Sequence, residues 1–572
     1  MENSILAGNF ELLAKLMDIN GENSFKSKTF AVAAFNIEKL PMQLKDTPRE
    51  KLFLIRGIGE SVGKKVIEML DTGALEILNE YISKTPPGVI EMLNIKGIGP
   101  KKINTIWKQM EIENLGELLY ACNENRLTLF KGFGEKTQKN VLEAINFYFS
   151  NQGHFLYAQL EEVYPMIENY LHKLFSTEKV KLTGAYRRQA LTIEELEFVI
   201  AETNETIKPK FETAQPPELL EETEDSLLYK LKNGLKLRLY SGQNNSIERQ
   251  FRTSCSKEFT DAFQKKFPGI NYTYCEMEET IFREANIPFI PPCLRETAGI
   301  IDQAEKNSLP RLIQTEDICS IIHSHSNWSD GSNTIEEMGY ACMEKGFEYL
   351  VISDHSQTAF YANGLKEDRI REQHRQIDEL NTKFSIQHSS SDDGNNGQAF
   401  KIFKSIESDI LNDGSLDYPE SVLKRFDLVI ASVHSNLKMT EEKAMTRLLK
   451  AIENPYTTIL GHMTGRLLLS RNGYPVDHKK IIDACAANNV VIELNAHPRR
   501  LDIDWKWISY SIEKNVLLSI DPDAHVLSGF DDVKYGVLAA QKGGMMKEHN
   551  LSSYSIQAFE DFLSKRKKLK GI

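Results

Sequence analysis

Short clusters of histidine and carboxylate residues follow aliphatic runs throughout the C-terminal half of the chain. The runs occur in "CSIIHSH", "YLVISDH", "LVIASVH", "TTILGH" and "VLLSIDPDAH". Such runs are typical of buried parallel strands, so the polar residue after each run would lie at the carboxyl end of a strand. Barrel-like α/β folds gather their functional groups at this rim. The pattern therefore predicts one site assembled from distant parts of the chain.

The residues of this predicted site are of the types that bind metal ions. One histidine at a strand end is usually a structural hydrogen-bonding residue, but the repetition of the pattern favours metal binding. Mixed imidazole and carboxylate ligands suit Mn, Zn or Fe without selecting among them. The predicted metal ligands are His323, His325, Asp330, His355, Glu407, His434, His462, Asp523 and His525.

Length and composition limit the class of protein. A chain of 572 residues exceeds what one hydrophobic core can organise, so roughly three or four domains are expected. No apolar run approaches the roughly 20 residues that cross a bilayer, and the start of the chain lacks a signal-peptide profile. The 7 cysteines include no CxxC pair, and the net charge of −12 does not favour indiscriminate binding to nucleic acid. We predict a cytoplasmic protein with no membrane segment.

The N-terminal third contains three similar sequence motifs: "LIRGIGESVGKKVIEML", "NIKGIGPKKINTIWKQM" and "LFKGFGEKTQKNVLEAI". Each joins an apolar helix end to a Gly-hydrophobic-Gly turn and a second amphipathic helix. A single copy would be read as a helix C-cap glycine, whereas repetition favours helix-hairpin-helix contacts with DNA phosphates. Lysines after the turn would add sequence-independent attraction. The predicted DNA-binding residues are Gly57, Gly59, Lys64, Gly97, Gly99, Lys101 and Lys102.

The order of these features resembles that of bacterial family X DNA polymerases that carry a C-terminal PHP (polymerase and histidinol phosphatase) domain. The resemblance covers nearly the whole chain and includes "FKSKTFAVAAFNIEKL" at 25–40 and "IPPCLRETAGIIDQAEKNSLPRLI" at 290–313. It implies a multidomain fold with N-terminal all-α helix-hairpin-helix units, an α+β palm-like and thumb-like middle, and a C-terminal α/β PHP domain of the distorted β/α-barrel type. The implied domains are a DNA-end-binding unit at 1–80, a fingers-like unit at 81–150, a degenerate palm at 151–235, a thumb-like unit at 236–315 and the PHP domain at 316–572.

The polymerase centre departs from the family pattern. In "TGAYRRQALTIEELEFVI" the Gly184 turn and Arg187/Arg188 are retained, but Glu195 and Glu197 occupy the positions of two expected aspartates. Lys236 occupies the position of a third. Nucleotidyl transfer needs closely spaced carboxylates that hold metals about 3.5–4 Å apart, and a lysine adds positive charge there. We predict that this centre does not polymerise. The polar, Pro-containing segment at 204–225 is expected to be an exposed loop.

The resemblance implies that the PHP site holds three divalent cations, with Mn as the first candidate and Zn or Fe as alternatives. His323, His325, Glu407 and Asp523 would hold the first cation. Glu407 would bridge to a second at His434 and His462, and Asp330, His355 and His525 would hold the third. Glu407, Asp523, Arg466 and Arg500 are the implied catalytic residues, the two arginines as phosphate contacts.

The implied function is a metal-dependent DNA phosphodiesterase, a 3′–5′ exonuclease and/or abasic-site endonuclease acting in DNA repair on gapped, single-stranded or damaged DNA. Two alternatives remain open. One is an active gap-filling polymerase with PHP exonuclease activity, against which Glu195, Glu197 and Lys236 argue. The other is a phosphomonoesterase of the histidinol-phosphatase type. The hairpins argue against it, because an enzyme that acts on a small molecule gains nothing from DNA-binding motifs. A non-enzymatic scaffold would not need the complete ligand set.

Overall fold

In a computed structural model of the chain, the polypeptide divides into two compact units, residues 1–152 and residues 153–572. The structure describes residues 1–55, 57–123, 126–150, 153–213, 216–272, 275–389, 400–469 and 472–572. Among these residues, no helix is both long enough and apolar enough to cross a membrane.

The described residues of the first unit form helices and no strands, which confirms the predicted all-α character. In the first helix, α1 (Asn3–Ile19), the residues Leu6, Phe10, Leu13 and Met17 recur at helical spacing and are buried in the core of this unit. The helices are α1 (Asn3–Ile19), α2 (Ser24–Glu38), α3 (Arg49–Leu52), α4 (Glu60–Thr72), α5 (Glu76–Lys84), α6 (Pro87–Glu91), α7 (Pro100–Met110), α8 (Leu115–Asn123) and α9 (Glu135–Ser150).

The three Gly-hydrophobic-Gly motifs adopt the same turn. Their first glycines have φ of +90° at Gly57, +96° at Gly97 and +93° at Gly132, a region that other residues enter at a cost. The hydrophobic residue between each glycine pair is buried in the core. The second glycine precedes the first helical residue of α4, α7 or α9. The repeated sequence therefore corresponds to a repeated backbone geometry.

Lysines follow these turns in the first residues of each second helix. Lys64 is exposed and pairs with Glu60 at 2.6 Å, one helical turn away. Lys101 is exposed, while Lys102 is half-buried with its Nζ 3.4 Å from the Gly97 carbonyl oxygen. Lys101 and Lys102 are the second and third residues of α7, and Lys64 is the fifth residue of α4. All three therefore lie in the N-terminal part of a helix, the end that can receive an anion.

The second unit begins with a five-stranded mixed sheet in the order β2-β4-β7-β6-β5. Strands β4 and β7 are parallel and pair Glu195 with Lys236 and Glu197 with Arg238. The elements of this region are β1 (Phe155–Leu156), α10 (Tyr157–Leu160), α11 (Val163–Phe175), β2 (Val180–Thr183), α12 (Gly184–Arg187), β3 (Thr192–Ile193), β4 (Glu195–Ile200), α13 (Asn204–Phe211), β5 (Glu218–Glu222), β6 (Ser226–Lys230) and β7 (Lys236–Ser241). The loop expected at 204–225 instead contains α13, β5 and the turn into β6, a correction to the sequence reading.

A small helical cluster follows this sheet. Its core consists of aromatic side chains, with the rings of Phe251 and Phe263 5.0 Å apart. The helices are α14 (Ser246–Thr253), α15 (Lys257–Lys266), α16 (Glu278–Glu284) and α17 (Gly299–Glu305).

The remainder of the chain alternates parallel strands with helices. Its elements are β8 (Ser320–Ser324), α18 (Ile335–Glu344), β9 (Tyr349–Ile352), α19 (Glu367–Ser389), β10 (Lys401–Lys404), β11 (Glu407–Asp409), α20 (Glu420–Leu423), β12 (Ile430–Ser432), α21 (Glu441–Glu453), β13 (Ile459–Leu460), α22 (His478–Asn488), β14 (Val491–Asn495), α23 (Ile508–Glu513), β15 (Leu518–Asp521), α24 (Val533–Lys542) and α25 (Ile556–Lys570).

These strands form two parallel sheets, β10-β9-β8 and β11-β12-β13-β14-β15. Parallel bridges join them at both ends: His355 pairs with Glu407, and Ser324 pairs with Ala524 just after β15. The two sheets therefore close on each other, as in a distorted β/α barrel. The predicted fold class is confirmed: helix-hairpin-helix units, a mixed α/β middle and a C-terminal α/β domain.

Candidate metal centre

The nine predicted ligands converge because nearly every strand of the C-terminal domain contributes one at the same rim. His323 lies in β8, and His325 follows that strand directly. His355, His434 and His462 come within a few residues of the ends of β9, β12 and β13, while Asp523 and His525 follow β15. Glu407 begins β11. Parallel strands present their carboxyl ends to one edge, so residues far apart in sequence meet there.

The Glu407 carboxylate lies at the middle of the cluster and is 1% exposed. Its Oε1 is 2.9 Å from Nε2 of His462, 3.0 Å from Nε2 of His434 and 3.3 Å from Nε2 of His323. Its Oε2 is 2.9 Å from Nδ1 of His355 and 3.6 Å from Nε2 of His325. A carboxylate ringed by imidazoles in this way can bridge cations.

Within the described residues, three groups could each hold an ion: His323, His325 and Asp523; His355, Glu407 and His434; and His325, Asp330, His355 and His525. In each group the ligand atoms lie within 4.8 Å of one another. The third group lies at the mouth of the site, because the side chains of Asp330 and His525 are 33% and 39% exposed. His323 is fully buried and lies at the bottom.

Electrostatics keeps several of these groups in the state that a cation requires. Burial would raise the pKa of Glu407, but the neighbouring His434 and His323 rings outweigh burial and hold this pKa well below its ordinary value. Burial and the nearby His525 and His355 rings lower the pKa of His325 to about 3, so this ring is neutral. For His434, the carboxylates of Glu407 and Asp409 outweigh burial and raise the pKa to about 10. A cation at His434 therefore has to displace a proton.

Two further observations fit a metal-binding role for these residues. Among the described residues, neither Nδ1 of His325 nor Nδ1 of His462 has a hydrogen-bond partner, although both atoms are buried. His323, His462 and Asp523 have φ of +60°, +20° and +53°, a region that residues other than glycine rarely enter. Backbone strain of this kind persists at functional sites where the surrounding structure enforces it.

Sequence reasoning missed two buried carboxylates that contact the predicted ligands. Glu493 contacts Nδ1 of His323, and Asp409 contacts Nδ1 of His434. Glu493 lies within β14 in "VVIELN", and Asp409 lies two residues after Glu407. For Glu493, the available signal was an acidic residue inside an otherwise apolar strand, which is costly to bury without partners. The strand of Asp409 has the sequence ESD and carries no such signal.

The two predicted phosphate-contacting arginines differ in their surroundings. Arg466 donates from Nε to the Arg500 carbonyl at 2.9 Å, from Nη1 to Asp504 at 2.5 Å, and from Nη2 to the Leu501 carbonyl. Its guanidinium therefore supports the loop that carries Arg500. Arg500 makes a longer contact, 3.4 Å from its Nε to Oδ2 of Asp523. Arg500 is the better placed of the two to receive a phosphate oxygen.

The residues at the three positions predicted to be degenerate are bound to other groups of the chain. Glu195 accepts from Arg238 at 2.6 Å and 3.2 Å, and Lys236 pairs with Glu194 at 2.7 Å. Glu197 accepts from the Ala185 N–H at 2.9 Å and from the Tyr240 hydroxyl at 3.1 Å. Burial raises the pKa of Glu197.

The two arginines that the resemblance assigns to the same predicted centre are also paired. Arg187 donates twice to Glu278, at 2.9 Å and 2.7 Å. Arg188 donates to Glu296 at 3.1 Å, and the buried Lys542 contacts Glu296 and the Arg188 carbonyl oxygen. Each arginine therefore already has a carboxylate partner within the chain.

Comparison with known proteins agrees with this architecture. A helix-hairpin-helix domain model matches residues 1–75, a SAM-like helix-hairpin-helix tandem matches 89–146, and the PHP domain model matches 322–497. The DNA polymerase/3′-5′ exonuclease PolX of Bacillus subtilis is 29% identical to this chain over an alignment of 592 positions, which covers 97% of this chain and 98% of that protein. This chain is therefore similar along nearly its whole length to a PolX-type DNA polymerase/exonuclease, and it matches both helix-hairpin-helix and PHP domain models.

Shorter matches connect this PolX-like chain to phosphatases. Proteins described as probable phosphatases from Caldanaerobacter subterraneus and Clostridium acetobutylicum are 33% and 37% identical over 102 and 97 residues. These matches cover 17% and 16% of the PolX-like chain, and 38% and 37% of the phosphatases. The match to the PHP model begins at residue 322, one residue before the first predicted ligand.

Proposed function

We propose that this chain is a divalent-cation-dependent DNA phosphodiesterase, a 3′–5′ exonuclease and/or abasic-site endonuclease acting in DNA repair. The observation that carries the proposal is the Glu407 carboxylate, which lies within 3.6 Å of five histidine rings in a buried site. A helix-hairpin-helix region and the similarity to a polymerase/exonuclease support DNA as the substrate. Gapped, single-stranded or damaged DNA is the proposed form.

The nine predicted ligands would hold three divalent cations, with Mn²⁺ as the first candidate and Zn²⁺ or Fe²⁺ as alternatives. Such ions neutralise charge on a phosphate and make water acidic enough to serve as a nucleophile. Glu407 and Asp523 stay ionised despite burial, because their histidine neighbours outweigh the cost of desolvation. Arg500 would hold a phosphate oxygen through its guanidinium. The substrate would enter beside Asp330 and His525, where the site is open.

We propose that the polymerase centre is inactive. The carboxylates at 195 and 197 accept hydrogen bonds from Arg238, Ala185 and Tyr240, so their oxygens are already engaged. Lys236 brings a cation where the family places a ligand. Arg187 and Arg188, which match the arginine pair of the family pattern, are paired with Glu278 and Glu296. The palm would then serve as a structural support.

A phosphomonoesterase is the second candidate, and the short similarity to probable phosphatases favours it. The two activities differ in the bond that is broken. A monoesterase releases inorganic phosphate from a 3′-phosphorylated oligonucleotide and leaves its length unchanged. A phosphodiesterase shortens a 3′-hydroxyl oligonucleotide.

One assay tests the proposal. With Mn²⁺, the protein should convert a 5′-labelled single-stranded or gapped oligonucleotide into a ladder of shorter products, and an abasic site should be cut if the endonuclease is present. His323→Ala and Glu407→Ala should abolish this hydrolysis, whereas His154→Ala, outside the site, should not. Wild-type activity in the first two variants would refute the assignment of the site. Extension of the primer by added dNTPs would refute the inactive palm.

A further inference from the structure

Glu493 is a fully buried carboxylate that touches the predicted ligands from behind the site. It lies in β14, between β13, which precedes His462, and β15, which precedes Asp523. Its Oε1 contacts Nδ1 of His323. Its Oε2 accepts the backbone N–H of His462 at 2.6 Å. One side chain therefore joins two ligand-bearing segments.

A third segment is tied to Glu493 through Asn495. The Asn495 amide Nδ2 lies 3.2 Å from Oε2 of Glu493 and 3.1 Å from Oδ2 of Asp523. Asn495 is also fully buried. Both Glu493 oxygens thus face N–H donors or a ring nitrogen of the protein. Glu493 therefore lies behind the predicted ligands and contacts them, and none of the three ligand groups of the site includes its oxygens.

We propose that Glu493 is a positioning residue of the metal centre. By accepting Nδ1–H of His323, Glu493 fixes the ring tautomer that leaves Nε2 for the cation. Nε2 of His323 points toward the cluster, 3.3 Å from Oε1 of Glu407 and 3.5 Å from Oδ1 of Asp523. By accepting the His462 N–H, Glu493 also holds that residue in its strained backbone conformation. This inference rests on the proposed metal-dependent function.

The same arrangement recurs at His434. Asp409 contacts Nδ1 of His434, while Nε2 of His434 lies 3.0 Å from Oε1 of Glu407. Glu493 and Asp409 therefore hold different rings, and no contact joins Glu493 to His434 in the described residues. This separation supplies an internal control for the experiment.

The test measures Mn²⁺ affinity of chelator-treated full-length protein by calorimetry and by the electron paramagnetic resonance signal of free Mn²⁺. A Gln at position 493 can present its amide NH₂ to Nδ1 of His323, which favours the wrong tautomer. Glu493→Gln should weaken the tightest Mn²⁺ step by about 10- to 100-fold. Glu278→Gln, at a similarly buried carboxylate that pairs with arginines elsewhere, should leave affinity unchanged even if it lowers the melting temperature.

A double-mutant cycle separates positioning from general damage. In a His323→Ala background, Glu493→Gln should cost little further affinity, because the ring that it orients is gone. In a His434→Ala background its effect should persist. Affinity within about threefold of wild type in the single variant, or an undiminished loss in the His323→Ala background, would overturn the inference.

A structure of the Mn²⁺-loaded wild type provides a second test, which does not require that any variant folds. Nε2 of His323 should face the ion, with Nδ1 hydrogen-bonded to Glu493. An oxygen of Glu493 bound to the ion would overturn the inference. Wild-type protein that binds Mn²⁺ but does not hydrolyse DNA would refute the proposed function alone. Protein that binds no divalent cation would refute both.

Discussion

Oε2 of Glu197 accepts the backbone N–H of Ala185 at 2.9 Å, across the turn that begins at Gly184. Gly184 has φ of +71°, and a Cβ there would lie 1.7 Å from the same oxygen. The glutamate therefore fills the space that the glycine turn leaves open. Its carboxylate closes the turn by accepting the Ala185 N–H.

This contact predicts that Glu197 has a structural role. A Gln at this position can still accept from Ala185 and hydrogen-bond Tyr240, so Glu197→Gln should change stability by no more than about 1 kcal/mol. Its nuclease activity should equal that of the wild type, and Mg²⁺ with dNTP should not raise the melting temperature of either protein. Thermal unfolding and a nuclease assay measure these quantities. Glu407→Gln, in the PHP site, should lose activity in the same assay.

The hairpin lysines should contribute to DNA affinity and not to chemistry. Lys101→Glu with Lys102→Glu should weaken binding of an oligonucleotide and reduce the slope of log affinity against log salt by about 1 per lost phosphate contact. Hydrolysis of bis(p-nitrophenyl) phosphate, which has no DNA backbone for the hairpins to bind, should stay unchanged. Lys257→Glu, at a side chain that is 87% exposed, is the matched control. An unchanged salt slope would argue against the hairpins as the DNA contact.

Arg500 and Arg466 should behave differently when removed. Arg500→Ala should lower kcat/KM for DNA by about 10²-fold with little effect on melting temperature, because it removes a donor to the phosphate. Arg466→Ala should lower the melting temperature, because it leaves the Arg500 and Leu501 carbonyls and Asp504 without their shared donor. Kinetics and thermal unfolding of both variants distinguish the roles. If both variants lost kcat/KM equally and neither changed its melting temperature, the two arginines would not have the different roles proposed for them.

Glu278 should make the stability of the second unit depend on pH. Burial would raise its pKa, but hydrogen bonds from Arg187 and the charge of Arg295 lower it from 4.5 to about 2. Because the folded-state pKa is depressed, the stabilising contribution of about 3 kcal/mol is complete above the unfolded value and is lost as pH falls toward 2. Glu278→Gln should therefore be less stable than wild type at pH 7.

The difference in unfolding free energy between the wild type and Glu278→Gln should decrease as pH is lowered from about 5 toward 3. Protonation of Glu278 then removes from the wild type the charge that the variant already lacks. Urea unfolding followed across this range measures the difference. A difference that stays constant with pH would mean that Glu278 contributes by shape and packing alone.

Much of the C-terminal domain could be predicted from sequence because two signals coincide there. Aliphatic runs locate the parallel strands, and a histidine or carboxylate after each run locates the rim. The hairpins were predictable for a similar reason, since Gly57 and Gly97 recur in a fixed motif and both need a positive φ. Local signals of this kind can be recognised in the sequence without knowledge of the tertiary structure.

Other features depend on partners that no local signal identifies. Glu493 could be located in a strand, but its contact with His323 depends on how two separate sheets close. The role of Arg466 depends on the path of the loop after β14. The segment at 204–225 was expected to be a loop because it is polar and contains proline, yet β5 is an edge strand whose acidic side chains can face solvent.

The convergence of strand ends from residue 323 to residue 525 has a consequence for the lifetime of the molecule. In an unfolded chain these side chains are far apart, so a divalent ion binds the unfolded chain only weakly. Binding of the ion therefore stabilises the native state. At an ion concentration 1,000 times the dissociation constant, this preference is worth about 4 kcal/mol. Starvation for the ion would therefore shorten the survival of the protein against proteases as well as slow its turnover.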